Sequence, residues 1–354
     1  MSNVPTVEDE PSPEPAQPSS EAPQHDRMEF WRYLGRKLGG AVISFAGLLV
    51  IGFVIFNLIP SNPVQSLTQG RRTSEEQMAQ LRDTLGLDRP AWQRFIDYVG
   101  NMLQGDLGMS WQFQKPVTDM IGERLWPTIL LMGTAALFSI ALGLWLGVRS
   151  GWKHGSRLDK IASGVSLSLW STPTFWLGLI LLVTFSVGVG PLPSLFPANG
   201  MSDPTITDGG IVHVLDVARH LVLPAVTMVL VVFAQYVTIM RSSIIDELGS
   251  PYLLTARAKG LRDSDVRRKH AVPNAMLPTV TVIFLQIGTI ISGAITVEVV
   301  YSWPGLGYLT YQALKVPDIP LLQGTFILFS ASVIVMNLIA DILYRFLDPR
   351  VRAQ

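Results

Sequence analysis

Six stretches of this sequence run for 20 residues or more without a single Asp, Glu, Lys or Arg. An α-helix rises about 1.5 Å per residue, so about 20 residues cross the roughly 30 Å hydrocarbon core of a bilayer. Charged residues make up only 15% of the chain, against about 25% in soluble domains. We therefore predict an all-α, polytopic membrane protein with six transmembrane helices. The predicted spans cover about residues 38–59, 127–148, 161–189, 221–240, 278–297 and 321–340.

The distribution of Lys and Arg between the spans predicts the orientation of the chain. Loop 149–160 holds four basic residues and loop 241–277 holds seven, whereas the loops before the fourth and sixth spans hold one each, Arg219 and Lys315. Cytoplasmic loops carry the excess of Lys and Arg. We expect both basic loops and both termini in the cytoplasm. A helical loop at 61–126 is expected outside, because loops beyond about 60 residues translocate largely regardless of charge.

The two ends of the predicted domain differ in composition. Residues 1–28 contain six prolines and six acidic residues with almost no large apolar side chain, so they cannot form a core. We predict a disordered, acidic, Pro-rich cytoplasmic tail, followed by a six-span domain at 29–354. The chain has no cysteine, which excludes disulfides and thiolate metal sites.

Loop 61–126 is predicted to contain two helices. Thr73 and Glu76 form a capping box at the start of the first. The second runs from Pro90 to about Leu103, with an aromatic stripe that can pack on the membrane surface or on the first helix.

The spans lack the groups that ion-coupled carriers and membrane enzymes use. No charged residue lies deep inside a predicted span, and Glu298 and Asp341 fall at span ends, where water can reach them. There is no phosphate-binding G-x-x-x-x-G-K-[ST] loop, no H-E-x-x-H zinc motif and no G-x-S-x-G elbow. His213 and His220 complete no recognised metal spacing. We expect no metal, no cofactor and, at zero net charge, no nucleic-acid partner.

Polar and small residues inside the spans have two readings each. Pro173 predicts a kink in the third span, and the hydroxyls around it can line a pathway or bond to their own helix backbone. Gln286 can face a cavity or hold two helices together, and Gly143 and Gly147 permit close helix packing. The pathway candidates are Ser171, Pro173, Gln286 and Ser292.

A charged, helix-breaking stretch, SPYLLTARAKGLRDSDVRRKHAVPNAMLP, occupies residues 250–278. Ser250 suits an N-cap and Pro251 the first helical position, while Gly260 can supply the left-handed turn that stops a helix of about nine residues. A second short helix can start at Asp263 or Ser264 and run to Pro273. Isolated helices shorter than about 12 residues are marginal in water. We therefore expect this stretch to be ordered by packing and to be bound by another protein.

This stretch resembles the cytoplasmic signature loop of binding-protein-dependent ABC importer permeases, whose pattern is E-A-A, three residues, Gly, nine residues and I-x-L-P. Here Leu254, Thr255 and Ala256 stand for E-A-A, Gly260 is the fixed glycine, and HAVP follows at His270–Pro273. The first two letters and two of the last four depart from the pattern. The form TARAKGL followed by HAVPNAMLP is similar to the dipeptide and oligopeptide branch, where such departures are usual.

Further stretches resemble the same branch in the same order. VEVVYSWPGLGYL at Val297–Leu309 and DIPLLQG at Asp318–Gly324 resemble its outer loop before the last span, and Leu85–Trp111 resembles its large outer loop. LIPSNPV departs from the common L-x-P-G-D-P at the end of the first span. The likeness covers about Arg32 to Arg352 and implies a fold like that of type I ABC importer permeases.

The resemblance implies a role and a set of partners. It implies that 29–354 is the permease domain of an ATP-driven importer in the cytoplasmic membrane of a prokaryote, moving small peptides by alternating access. Nickel, glutathione or another small solute is the alternative cargo, and an ion-coupled secondary transporter is the rival from another class. The implied partners are a second homologous permease subunit, two ABC ATPase subunits, an extracytoplasmic solute-binding protein and the lipid bilayer. ATP hydrolysis would belong to those ATPase subunits, and this chain would not be an enzyme.

The resemblance also assigns site residues. The signature loop at 250–278, which lies mostly within the cytoplasmic coupling loop 241–277, would hold a coupling helix on an ATPase subunit, with Ala256 and Gly260 allowing close approach. Its basic residues would pair with acidic groups of that partner, or would instead set the orientation of the chain in the membrane and attract anionic lipid. The coupling residues are Leu254, Thr255, Ala256, Arg257, Lys259, Gly260, Leu261, Arg262, His270 and Pro273. The outer gate comprises Glu298, Trp303, Pro304, Gly305 and Gly307. Glu298 can instead cap a structural turn.

Overall fold

The computed structural model describes residues 22–58, 89–189, 193–206, 209–287 and 295–347. The chain divides into two compact units, Met1–Gly40 and Ala41–Gln354. Within the first unit, the description begins at Ala22. All contacts given below belong to the second unit.

The described residues form helices joined by turns and loops, with one isolated β-bridge between Met109 and Pro116. π-Helical turns occur at Val183–Gly188 and Val266–Ala271, and a short helical turn at Asp263–Asp265. The helices are α1 (Ala22–Leu58), α2 (Ala91–Leu103), α3 (Val117–Trp152), α4 (Arg157–Ser171), α5 (Thr174–Leu182), α6 (Ile211–Leu248), α7 (Pro251–Ala258), α8 (Val272–Ile287), α9 (Ile295–Val300), α10 (Leu306–Lys315) and α11 (Ile319–Leu347).

These helices fit the predicted six-span architecture. α1, α3, α6 and α11 are long and apolar enough to cross a membrane, and α4 with α5 makes a fifth, bent span. The predicted span 278–297 falls on α8 and α9, with residues 288–294 between them outside the described ranges. The prediction of an all-α, polytopic membrane protein is confirmed.

The chain enters its first helix earlier than the sequence suggested. α1 begins at Ala22, inside the segment 1–28 predicted to be disordered. Pro23 lies in the first turn, where a proline costs no hydrogen bond because the N–H would be unpaired anyway. Residues 1–21 and the predicted capping box at Thr73 and Glu76 lie outside the described residues.

α3 and α6 run parallel and very close together through a stripe of glycines. A Cβ added to Gly143 would lie 2.4 Å from Cβ of Tyr236, and one added to Gly147 would lie 2.8 Å from Cβ of Met240. One turn further, Gly151 lies against the carbonyl of Arg241. The predicted close packing through Gly143 and Gly147 is confirmed, since only a glycine allows the two helices this separation.

The third predicted span is broken at Pro173, as its sequence suggested. α4 and α5 meet at 99° across this break. Thr172 has the extended conformation, φ −81° and ψ 128°, that a residue before proline prefers. The kink prediction is confirmed.

α2, in the loop predicted to lie outside, starts after Pro90, as predicted. Its aromatic stripe contacts α1, because the rings of Phe95 and Tyr98 lie 5.2 and 5.9 Å from the ring of Phe53. Trp92 on the same helix is exposed. Part of the stripe therefore packs on the first span, a partner that the sequence did not single out.

Candidate functional site

The signature loop contains the short helix that its sequence predicts. Pro251 opens α7, and Ser250 before it has the extended backbone of an N-cap. Ser250 makes no capping bond, however, because its hydroxyl donates to the carboxylate of Glu247 at 3.1 Å. Gly260 has φ +78°, the left-handed conformation that glycine adopts without strain. The N–H of Leu261 donates back to the carbonyl of Ala256 at 3.3 Å and closes the helix end.

The predicted second helix begins at Asp263, as expected, but its predicted end at Pro273 is wrong. The chain forms the helical turn Asp263–Asp265 and the π-helical turn Val266–Ala271, and α8 then runs through Pro273 to Ile287. Pro273 is the second residue of α8. Val272 before it is in the α-helical conformation and donates its N–H to the carbonyl of Arg267, so the π-helical turn runs into α8 without a break. Pro273 supplies no N–H to this continuous stretch. The loop therefore leads directly into α8, on which the predicted span 278–297 begins.

One side of the signature loop is packed against the end of α6. Leu253 and Val266 are fully buried and Ala256 is 5% exposed, in a cluster with Met240 and Ile244 of α6. Ala256 thus faces its own chain, and the expectation that it lets a partner approach is wrong. Gly260 has open space around its Cα. Position 260 therefore requires glycine because of its backbone angle, and not because neighbouring atoms leave no room for a side chain.

The other side of α7 is exposed and partly apolar. Leu254 is 60% exposed and Leu261 40%. Thr255, Lys259 and Arg262 are also exposed, whereas His270 is half-buried and Pro273 exposed. This outward face, comprising Leu254, Thr255, Lys259, Leu261 and Arg262, is available to a partner.

Arg257 is engaged within its own chain. Its guanidinium lies 3.9 Å from Asp263 and 5.7 Å from the centre of the Trp152 ring. The indole N–H of Trp152 donates to Asp263 at 2.7 Å. These contacts tie α7 to the end of α3, so the predicted pairing of Arg257 with a partner's acid competes with an internal one.

The predicted outer-gate residues come together in a buried segment about 35 Å along α3 from this loop, at about 1.5 Å per residue. Trp303 is fully buried and its indole N–H donates to the carbonyl of Pro127 in α3 at 2.9 Å. The Tyr301 hydroxyl donates to the carbonyl of Gly178 in α5 at 3.0 Å and lies 2.9 Å from the Thr227 hydroxyl of α6. This wedge, residues 297–309, joins three spans.

Glu298 lies at the centre of the wedge and is fully buried. Its carboxylate accepts hydrogen bonds from the Thr128 hydroxyl and from the Tyr308 N–H, both at 2.9 Å. Thr128 in turn accepts from the N–H of Leu306 at 2.7 Å. The expectation that water reaches Glu298 is wrong. The alternative reading, a carboxylate that caps a turn, fits the geometry, because negative charge at the start of a helix is favourable.

The glycines of the wedge make room for this carboxylate. A Cβ on Gly305 would lie 2.4 Å from an oxygen of Glu298, and one on Gly307 would lie 3.0 Å from the same oxygen. Pro304 is half-buried between Trp303 and Gly305. A side chain at either glycine would therefore displace Glu298.

A second buried carboxylate, Asp318, was missed from the sequence. It accepts from the Ser110 hydroxyl at 2.6 Å and from the N–H of Gln112 at 3.0 Å. It also caps α11 through the N–H of Leu321 at 3.3 Å. An Asp just before a long helix is a capping signal, but its bonds to residues about 200 positions earlier have no local signature.

The pathway candidates are not gathered in one place. The Ser171 hydroxyl donates to the carbonyl of Leu167 at 2.8 Å, the backbone-bonding alternative. Pro173 is exposed at the bend. The Gln286 amide donates to Gln235 of α6 at 2.8 Å, which is the helix-joining alternative. Ser292 lies outside the described residues.

The described part of the chain offers no cluster of three metal-ligating side chains. His220 instead contacts its own helix, with Nδ1 2.9 Å from the carbonyl of Asp216.

Comparison with known proteins agrees with this arrangement. Residues 109–353 match the family described as binding-protein-dependent transport system inner membrane component, and residues 30–132 match the description of its N-terminal part. A solved structure of inward-facing conformations of the MetNI methionine ABC transporter shares the fold at a TM-score of 0.50 and 17% identity, covering 65% of this chain and 96% of that one.

Curated relatives align over nearly their whole length. The dipeptide transport system permease protein DppB of Escherichia coli (strain K12) is 36% identical over 91% of this chain and 98% of its own. The di/tripeptide transport system permease protein DppB of Pseudomonas aeruginosa (strain UCBPP-PA14) is 36% identical over 91% and 99%. The glutathione transport system permease protein GsiC of Pectobacterium atrosepticum is 35% identical over 90% and 98%. With a six-span helical fold, a signature loop and these relatives, the chain belongs to the family of binding-protein-dependent transport system inner membrane components.

Proposed function

We propose that this chain is a permease subunit of an ATP-driven importer that carries small peptides across the inner membrane by alternating access. The relatives of 36% identity carry dipeptides or di- and tripeptides by name, and this supports peptides as the cargo. Glutathione, itself a small peptide-like solute, is the second candidate because a glutathione permease aligns at 35% identity.

The family determines part of the assembly. A binding-protein-dependent importer works with a solute-binding protein and with ATPase subunits, so this subunit is a transport component and not an enzyme. The second subunit of the membrane pore is proposed to be a homologous permease. The basic loops support a proposed orientation with both termini in the cytoplasm.

The outward face of α7 carries this proposal. Its inner side is buried against α6, while Leu254 and Leu261 are exposed on a loop that lies outside the predicted spans. We propose that these two leucines form the apolar centre of a protein contact. The proposed contact is an ATPase subunit, with Thr255, Lys259 and Arg262 at its edge. Movement of that subunit would pass through α7 to α6.

The wedge 297–309 is proposed as a rigid part of the outer gate. Its hydrogen bonds to α3, α5 and α6 support a unit that moves with these spans. Ser171 and Pro173 at the bend stay proposed pathway residues because both are open to the outside of the subunit. Gln286 fits better as a link between α8 and α6.

Reconstitution tests the function. The complete importer in proteoliposomes should take up radiolabelled dipeptide only with ATP inside and the binding protein outside, and the isolated chain should transport nothing. Uptake by the isolated chain on an ion gradient would instead establish a secondary transporter. Competition by unlabelled glutathione separates the two cargo candidates.

A bulky residue at the end of α7 tests the docking face. Gly260→Trp should leave the protein inserted but separate ATP hydrolysis from uptake. Gly260→Ala controls for backbone strain, and Gly249→Trp controls for bulk, since Gly249 has φ −83° and open space around it. Normal uptake in Gly260→Trp would exclude this face as the ATPase contact.

A further inference from the structure

An ion pair outside the predicted spans joins the bent span to the end of α6. Asp159, in the first turn of α4, has a side chain only 3% exposed. Arg241 of α6 grips it with two hydrogen bonds, from Nε at 2.5 Å and from Nη2 at 3.0 Å. Two parallel bonds between a guanidinium and a carboxylate fix orientation as well as distance.

The loop before α4 holds the same carboxylate from the other side. The N–H of Gly155 donates to it at 2.9 Å, and Nδ1 of His154 lies 3.1 Å away. Ser156 caps α4 by accepting the N–H of Asp159 at 3.3 Å. The hydrogen bond from Arg241, with help from Gly155 and against the effect of burial, holds the pKa of Asp159 well below its usual range. The carboxylate is therefore charged and fixed when Arg241 binds it.

Arg241 lies between two firmly packed regions. One turn later, Ile244 is fully buried with Leu253 of the signature loop. A Cβ added to Gly151 of α3 would lie 2.8 Å from the carbonyl oxygen of Arg241. The signature loop, the end of α6 and the end of α3 are thus packed through apolar and glycine contacts. α4 packs on α6 through Leu169 and is in addition joined to Arg241 by a directed ionic contact.

We propose that the Asp159–Arg241 pair is the joint through which movement of the signature loop reaches the bent α4–α5 span. The proposal rests on the function proposed above. Both groups act as positioning residues, since neither touches the solute or the nucleotide. Separating this pair is costly, because the buried carboxylate of Asp159 would be left without its partner. The contact therefore adds a directed link by which α4 follows α6.

Neutral variants in the complete importer test the joint. Asp159→Asn and Arg241→Gln should each keep ATP hydrolysis and lower uptake by about tenfold, the size of a coupling loss along such a contact. Arg157→Gln is the matched control. It removes an exposed guanidinium from the first residue of α4 and should transport as the unaltered importer does.

The double variant Asp159→Asn/Arg241→Gln separates transmission from stability. Removing both charges leaves no unpaired buried charge, so the thermal unfolding temperature should recover relative to the single variants. Uptake should stay low, because the directed contact is still missing. Uptake that recovers together with stability would show that the pair only stabilises the fold and would overturn the proposal.

The rate at which a single cysteine on α4 is modified reports movement of this helix in the absence of solute. The chain has no cysteine, so Lys160→Cys, at an exposed position of α4 just before the predicted span 161–189, gives a single water-accessible thiol on this subunit. ATP should change its rate of modification by a maleimide, and Arg241→Gln should abolish that change. A response that persists in Arg241→Gln, or no response with Arg241 present, would overturn the joint. Failure to find a transported peptide would instead count against the proposed function.

Discussion

Adding one methyl group to α3 should reveal how closely it packs on α6. In Gly143→Ala the new Cβ would lie 2.4 Å from Cβ of Tyr236 and 3.0 Å from the carbonyl oxygen of Phe233. Carbon atoms prefer separations of about 3.5–4.0 Å, so the helices must move apart by about 1 Å or more. Neither neighbouring atom is the end of a flexible side chain, so rotation cannot relieve the contact.

The expected change in the free energy of unfolding of Gly143→Ala follows from two opposing effects. Overpacking of this kind costs about 1–3 kcal/mol, and replacing a helical glycine by alanine returns about 1 kcal/mol. Gly143→Ala should therefore lose about 0–2 kcal/mol of stability, and about 1–3 kcal/mol relative to a glycine-to-alanine change with no clash. Gly133→Ala is the matched control, because Gly133 lies in the same helix with nothing within 4 Å of an added Cβ. It should be neutral or slightly stabilising.

Thermal unfolding of the purified protein in one detergent, followed by tryptophan fluorescence, compares the two variants. Gly143→Ala should unfold at a clearly lower temperature than Gly133→Ala, with Gly147→Ala between them or close to Gly143→Ala. Equal unfolding temperatures for Gly143→Ala and Gly133→Ala would refute the close parallel packing of α3 and α6.

Three further predictions concern polar contacts. Arg241 lowers the pKa of Asp159 in the folded protein. The Asp159–Arg241 pair therefore stabilises the fold fully above the unfolded-state pKa of Asp, about 3.9, and this stabilisation is lost as the pH falls below that value. The difference in unfolding temperature between the native protein and Asp159→Asn should thus be constant from about pH 8 to 5 and shrink below about pH 4; a difference that already shrinks near neutrality contradicts this. A double-mutant cycle of Gln235→Leu and Gln286→Leu should give a coupling of about 0.6 kcal/mol, and additive effects would mean that the amide bond contributes nothing. Asp318→Asn should destabilise by about 1–3 kcal/mol and increase proteolysis around Ser110, and an unchanged cleavage pattern would argue against that anchor.

Local features of the structure were predictable from sequence. The short α7 follows from Pro251 at its start and from a glycine at 260, because both residues act on their own backbone. The break at Pro173 has the same origin. The apolar stretches predicted the spans because a bilayer imposes their length regardless of tertiary contacts.

Long-range features were not predictable in the same way. Glu298 looked accessible because it follows a predicted span, but Thr128, 170 residues earlier, and the turn of Gly305 enclose it. The Asp159–Arg241 pair joins positions 82 residues apart, and neither residue has a local pattern that names its partner. The helix through Pro273 continues directly from a π-helical turn, and the sequence pattern does not reveal such a turn.

The wedge has a consequence for how this subunit can diverge. Trp303 and Tyr301 donate hydrogen bonds to main-chain carbonyl oxygens, those of Pro127 and Gly178. Every amino acid supplies such an oxygen. The neighbouring positions of α3 and α5 can therefore exchange their side chains over evolutionary time, and so alter which solutes fit, while the scaffold stays assembled.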